Sequence, residues 1–293
     1  GLGDVYKRQT VCSVTLSGTV TILAAGDCSL RADHPGNGNW NSGFNSVTFK
    51  VNKKDQTIDF SPSAATFGDA DITPGATSDA TADGESITYT SSTPLVCTID
   101  ADTGKIHIVK AGTCSVKADH PGNGNWNPGT RTAGFIVNKK NQHVTFTQSD
   151  VTYLDPDITG NASTDASGEG SITYTSSTED VCKIDADTGK IKIVGAGDCT
   201  VTAGHPGNVN WNVGSKEVTF KVNPKNQEIT FAPGSKTYGE ADFSPGATTD
   251  ATGAGSITYT STTTGVCTIE SGNIRIVGAG TCTVKADHPG NGN

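Results

Sequence analysis

Apolar and polar residues alternate along much of the chain. Ile58 and Phe60 flank Asp59, Ile87 and Tyr89 flank Thr88, and Ile106 and Ile108 flank His107. Cys114, Val116 and Ala118 alternate with Ser115 and Lys117, and Ala133, Phe135 and Val137 continue the pattern. A period of two over short runs predicts half-buried β-strands. Thr, Val, Ile and Tyr fit a pleated surface. Turn residues separate the runs, as in Asp102-Thr103-Gly104, Lys110-Ala111-Gly112 and Pro121-Gly122-Asn123-Gly124. No stretch carries a helical stripe. The pattern predicts about seven short strands per unit of roughly 85 residues, an antiparallel sandwich.

That unit is repeated. Cys12, Cys97, Cys182 and Cys267 recur at one step, followed by Cys28, Cys114, Cys199 and Cys282. Trp40, Trp126 and Trp211 keep nearly the same step, each after a His-Pro-Gly-Asn segment at His34, His120 and His205. A fourth such segment begins at His288. Polar links reset the phase at Asn52-Lys53-Lys54-Asp55-Gln56, Asn138-Lys139-Lys140-Asn141-Gln142 and Asn223-Pro224-Lys225-Asn226-Gln227. A fixed period of this kind marks a tandem array. The expected organisation is a partial repeat at 10–54, whole repeats at 55–140 and 141–225, and a C-terminally truncated repeat at 226–293. Residues 4–9, Asp-Val-Tyr-Lys-Arg-Gln, look like a translated sequencing adapter, so 1–9 is set aside as a scar. The absence of methionine and the repeat phase predict a piece of a longer protein.

Composition narrows the function. A net charge of −9 argues against binding nucleic acid through phosphate contacts. No apolar run approaches the length of a membrane span. The cysteines sit at inward positions of their strands, and the strand of Ile106–Val109 separates Cys97 from Cys114. Outer strands of a flat three-strand meander lie roughly 9.6 Å apart, too far for a disulfide. A bond therefore requires the chain to cross between sheets at Ala111-Gly112. Two thiolates without a nearby second pair make a poor zinc site, and free thiols are the other alternative. Disulfides would stabilise each repeat by roughly 3 kcal/mol and place the chain in an oxidising compartment.

Several segments together resemble a known family. They are Tyr174-Thr175-Ser176-Ser177-Thr178, Val181-Cys182-Lys183-Ile184, Ile193–Val201 and Pro206–Trp211, with Lys236–Phe243 opening a repeat. The pattern resembles bacterial Ig-like repeats of large surface and secreted proteins, in a cysteine-containing variant. The resemblance covers nearly the whole chain after residue 9. It implies an all-β chain of tandem Ig-like sandwiches arranged as an elongated rod, used as a stalk or adhesin spacer. The first cysteine lies too late in the unit for the antibody disulfide pattern to be carried over.

Candidate chemistry is sparse. Asp100-Ala101-Asp102-Thr103-Gly104 and Asp185-Ala186-Asp187-Thr188-Gly189 resemble the start of a calcium loop but lack further acidic ligands. A hairpin turn explains them. A second acidic set comprises Asp69, Asp71 and Asp79, repeated as Asp155, Asp157 and Asp165, and as Glu240, Asp242 and Asp250. Near a junction between repeats, Asp69, Asp71, Asp155, Asp157, Glu240 and Asp242 are candidate calcium ligands, the one cofactor considered. The His-Pro-Gly-Asn segments read as turns leaving a strand. Trp40, Trp126 and Trp211 sit in Gly- and Asn-rich loops, where an indole either packs or stacks on a sugar. No phosphate loop or nucleophile motif is present, so no enzyme activity is expected. The expected function is a structural spacer on a bacterial surface, with neighbouring repeats as its first partners. The alternative is an adhesin module that binds a glycan or host ligand through the loop tryptophans.

Overall fold

The computed structural model describes residues 10–15, 17–80, 85–253 and 255–292. The adapter-like residues 1–9 lie outside the described residues. Contacts divide the chain into two compact units. The first comprises Gly1–Asn141 with Asn208–Asn212, and the second Gln142–Gly207 with Val213–Asn293.

In the first unit, β1 (Cys12–Val14) pairs with β2 (Val20–Ile22), and β3 (Gly26–His34) with β4 (Gly43–Val51), both antiparallel. Eight strands follow: β5 (Ile58–Asp59), β6 (Ala65–Thr66), β7 (Thr77–Ser78), β8 (Thr88–Ser91), β9 (Cys97–Ile99), β10 (Ile106–Ile108), β11 (Gly112–His120) and β12 (Gly129–Asn138). One sheet has the order β6-β12-β11-β8. Across the core lie the hairpin β9–β10 and the ladder β5–β7. The period-two pattern explains the long strands. In β11, Cys114, Val116, Ala118 and His120 point inward and are buried, and from β12 Phe135 and Val137 join them. Phe60, Ile106 and Ala65 fill the remaining space. Tyr89 packs a tilted ring 5.8 Å from Phe60 and uses its hydroxyl to accept the Ala76 N–H.

The second unit repeats this plan. Its strands are β13 (Val144–Thr145), β14 (Val151–Thr152), β15 (Ser163–Thr164), β16 (Thr173–Ser176), β17 (Cys182–Ile184), β18 (Ile191–Ile193), β19 (Gly197–His205) and β20 (Gly214–Asn223). The order β14-β20-β19-β16 matches the first unit's main sheet. Beyond it, β21 (Ile229–Thr230) pairs with β22 (Thr248–Thr249), β23 (Thr258–Ser261) with β26 (Val284–Asp287), and β24 (Cys267–Glu270) with β25 (Asn273–Ile276). The whole repeats are Ig-like sandwiches in tandem, antiparallel except for the parallel pairs β6–β12 and β14–β20, and no described residue is helical. Among the described residues each has eight strands rather than about seven. The extra ones are two-residue strands such as β6 and β14, too short to show a period.

The cysteines tie the two layers together. Cys12–Cys28, Cys97–Cys114, Cys182–Cys199 and Cys267–Cys282 are disulfides with Cα–Cα distances of 5.6–5.7 Å. Cys97 lies in the β9–β10 hairpin and Cys114 in the four-stranded sheet. The crossing occurs at Gly112, whose φ of 145° suits glycine. A Cβ there would meet Val96 at 3.4 Å.

Candidate functional site

The tryptophan loops are built by asparagine. Asn123 Oδ1 accepts the N–H groups of Asn125 (2.7 Å) and Trp126 (2.9 Å), and the Asn123 N–H donates to the Trp126 carbonyl. Such side-chain to backbone bonds mimic a turn. Gly122 enters with φ 74°, and its N–H donates to His120 Nδ1 at 3.1 Å. The His-Pro-Gly-Asn segment is thus a turn leaving β11.

The loop of one repeat grips the link before it. Lys54 N–H donates to the Asn125 carbonyl (2.9 Å), and Asn127 N–H donates to the Lys54 carbonyl (2.8 Å). Lys53 Nζ donates to the Asn123 carbonyl at 2.7 Å. Ala25 N–H, before β3, donates to Asn125 Oδ1 at 2.7 Å. Above this bridge the Lys54 ammonium lies 4.5 Å from the Trp126 ring centroid. A cation over an indole face is attracted by the ring quadrupole. The same arrangement recurs elsewhere in the first unit. Lys140 exchanges backbone bonds with Asn210 and Asn212, Lys139 Nζ reaches the Asn208 carbonyl, and Ala111 N–H reaches Asn210 Oδ1. Lys140 Nζ lies 5.1 Å from the Trp211 ring, and Phe67 packs edge-on at 6.2 Å. Trp211 is only 6% exposed, and its Nε1 is buried without a hydrogen-bond partner.

Trp40 shares the loop but not the packing. Asn37 Oδ1 accepts the N–H groups of Asn39 and Trp40, yet Trp40 is 75% exposed. In the second unit, Lys225 and Tyr153 are the counterparts of Lys140 and Phe67. They line a 290 Å³ pocket with Leu154, Gly290 and Asn291. The lysine partners of the tryptophans were not singled out from sequence. The available signal was that Lys54 and Lys140 recur at nearly the step of Trp126 and Trp211.

No family model matches the chain, and no curated protein sequence matches it. Among solved structures it is similar to the EC1-4 fragment of Drosophila N-cadherin at 13% identity and a TM-score of 0.30, over 96% of this chain and 86% of that one. It is also similar to immunoglobulin domains 1-5 of Sidekick-1 (12%, TM-score 0.31, 92% and 64% covered). A third is domains 4-9 of the surface layer protein SbsC (15%, TM-score 0.27, 94% and 42% covered). These scores are too low to assign the chain a relative.

The acidic candidates hold turns and pairs. Asp69 accepts the Thr66 N–H and Asp155 the Thr152 N–H, each at 2.7 Å, and Glu240 accepts the Thr237 N–H at 3.1 Å. Asp71 lies 2.8 Å from His107 Nδ1, and Asp242 lies 3.2 Å from Arg275 Nε, which raises the guanidinium's pKa. Asp157 is exposed. Asp79, Asp165 and Asp250 accept the N–H groups of Thr57, His143 and Glu228. The Glu228 N–H holds the Asp250 carboxyl below its ordinary range. Among the described residues, no three His, Cys, Asp or Glu side chains gather as a metal-binding group. Asp100 and Asp185 organise hairpin turns. Each takes the hydroxyl and N–H of the threonine three residues on, which lowers its pKa.

Proposed function

We propose that the chain is a non-enzymatic spacer of a bacterial cell-surface or secreted protein of adhesin type. In this reading, repeats fixed to one another hold a more distal domain at a distance. The observation that carries it is the grip of the Asn123–Asn127 loop on Lys53 and Lys54, two backbone bonds with an indole–ammonium contact above them. A spacer needs stiff joints, and a short link bonded along its length cannot act as a free hinge. The disulfides support the same reading, because each closes its repeat against extension and suits an oxidising exterior. No helix among the described residues is long and apolar enough to cross a membrane. Small-angle scattering tests the proposal. A compact globule of this length has a radius of gyration of about 19 Å. The spacer reading requires a value well above that, and a value near it would end the reading.

A further inference from the structure

The loop that grips the preceding link also holds the parts of a self-modification reaction. Asn123 is followed by Gly124, and the same pair stands at Asn37-Gly38 and Asn291-Gly292. The third repeat departs from this, with Asn208 followed by Val209. In an Asn-Gly pair no Cβ hinders the glycine nitrogen as it approaches the asparagine side chain. A Cβ on Gly124 would meet nothing within 4 Å, and the Gly124 N–H donates to no described residue. The position is also open at the joint between the two whole repeats, where Val209 is 56% exposed.

The electrophile is prepared as well. Asn123 Oδ1 accepts two N–H groups, from Asn125 at 2.7 Å and Trp126 at 2.9 Å. Two backbone donors on a carbonyl oxygen stabilise the oxyanion that forms when a nucleophile adds to its carbon. The main-chain carbonyl of Asn123 is polarised separately, by the Lys53 ammonium at 2.7 Å. Asn208 keeps both features. Its Oδ1 accepts the Asn210 and Trp211 N–H groups at 2.9 and 3.1 Å, and Lys139 Nζ lies 2.7 Å from its carbonyl oxygen. What differs is the nucleophile, because the stiff, branched Val209 side chain crowds its own nitrogen.

We propose that Asn123 is a spontaneous deamidation site whose conversion releases the loop's grip on the link. The Gly124 nitrogen adds to Asn123 Cγ, and the Cγ–Nδ2 bond breaks. The side-chain nitrogen leaves as ammonia, carrying in net the proton that Gly124 gives up, and a succinimide ring remains. Water then opens the ring. Addition at Cγ gives aspartate. Addition at the main-chain carbonyl, the one that Lys53 polarises, gives isoaspartate, and this route dominates. In isoaspartate the main chain runs through the former side chain and is longer by about 1.5 Å. The loop then loses the register in which Asn123 bonds Trp126 and the Asn125 carbonyl meets Lys54. The joint at Asn123 loosens with age, and the joint at Asn208 holds. The chemistry stands independently of the spacer reading.

Ageing the oxidised full chain in mildly alkaline buffer at body temperature, followed by tryptic peptide mapping, tests this. Peptide 118–131 should gain the mass difference between an amide and an acid, placed by fragmentation at Asn123 and chiefly as isoaspartate. Conversion there should be faster by about tenfold or more than at Asn208 in peptide 193–216. Tryptophan emission of the aged chain should move to the red as Trp126 leaves Lys54. Gly124→Val copies a residue that the third repeat accommodates, so it should fold and suppress both changes. Conversion at Asn123 no faster than at Asn208 overturns the proposal. Conversion that leaves the emission unchanged overturns it as well.

Discussion

The Lys54 ammonium sits over the Trp126 ring at 4.5 Å, joining the link that ends one repeat to the loop that caps the next. A partly exposed cation–indole contact contributes about 0.5–2 kcal/mol. Trp126→Ala also removes the indole's packing area. The expected result by calorimetry is a lower melting temperature and a transition that broadens or splits as the joined repeats uncouple. Lys54→Met keeps the stem and loses the charge, so its effect should be smaller. Equal effects of the two substitutions would locate the coupling in the charge alone.

The loop itself offers a cleaner perturbation. A Cβ on Gly122 would lie 2.5 Å from the Trp126 carbonyl oxygen, at a φ of 74°. The neighbour Gly124 has open space around it. Gly122→Ala should therefore cost about 1–3 kcal/mol, and Gly124→Ala a few tenths at most. Chemical denaturation of the two variants compares them directly.

Breaking one disulfide should melt its own repeat first. Replacing Cys97 and Cys114 together by Ser is expected to cost about 2–5 kcal/mol. For a unit of this size that lowers the local melting temperature by at least ~8 °C. Tryptophan emission and calorimetry together would show whether the loss stays with the 55–140 repeat.

Asp100 and Asp185 give the protein an acid-sensitive turn. Thr103 and Thr188 donate to these carboxylates through the hydroxyl first and the N–H second, which depresses both pKa values. A depressed carboxyl adds stability above its unfolded value of ~3.9. That contribution disappears as pH falls through the lower folded value. Asp100→Asn should thus melt lower than the parent at neutral pH, with the gap closing below about pH 4. A gap that stays constant into strong acid would contradict this.

Calcium should leave stability unchanged. Asp69, Asp155 and Glu240 each serve a threonine N–H, and Asp71 and Asp242 pair with His107 and Arg275. These carboxylates serve separate turns and pairs, and among the described residues they do not gather as a metal-binding group. Equal melting temperatures in calcium and in chelator are expected. A rise of several degrees with calcium would mean that the carboxylates regroup around an ion.

Much of the fold was readable in the residues because it rests on local rules. Alternation placed Cys114, Val116 and Ala118 on the inner face of β11. Strand spacing required the crossing at Gly112 if Cys97 was to bond to Cys114, which the disulfide shows. The turns at Asp100 and His120 followed from their own short motifs. The parallel pairing of β6 with β12 left no trace, since Ala65-Thr66 is too short to carry a period. The role of the tryptophans was legible only as a choice between packing and ligand. A loop sequence does not reveal that its ring meets a lysine in the preceding link. Local chemistry builds the loop, and only tertiary context decides what covers the indole.

Single-molecule pulling of the whole chain, oxidised and then reduced, tests the spacer account most directly. Each disulfide of a whole repeat withholds the stretch between cysteines 17 positions apart. At about 3.4 Å per residue, reduction should lengthen the unfolding step of each whole repeat by roughly 50 Å. The account predicts discrete, evenly sized steps that lengthen by this amount in reductant. Steps of unchanged length, or extension without any discrete resistance, would contradict it.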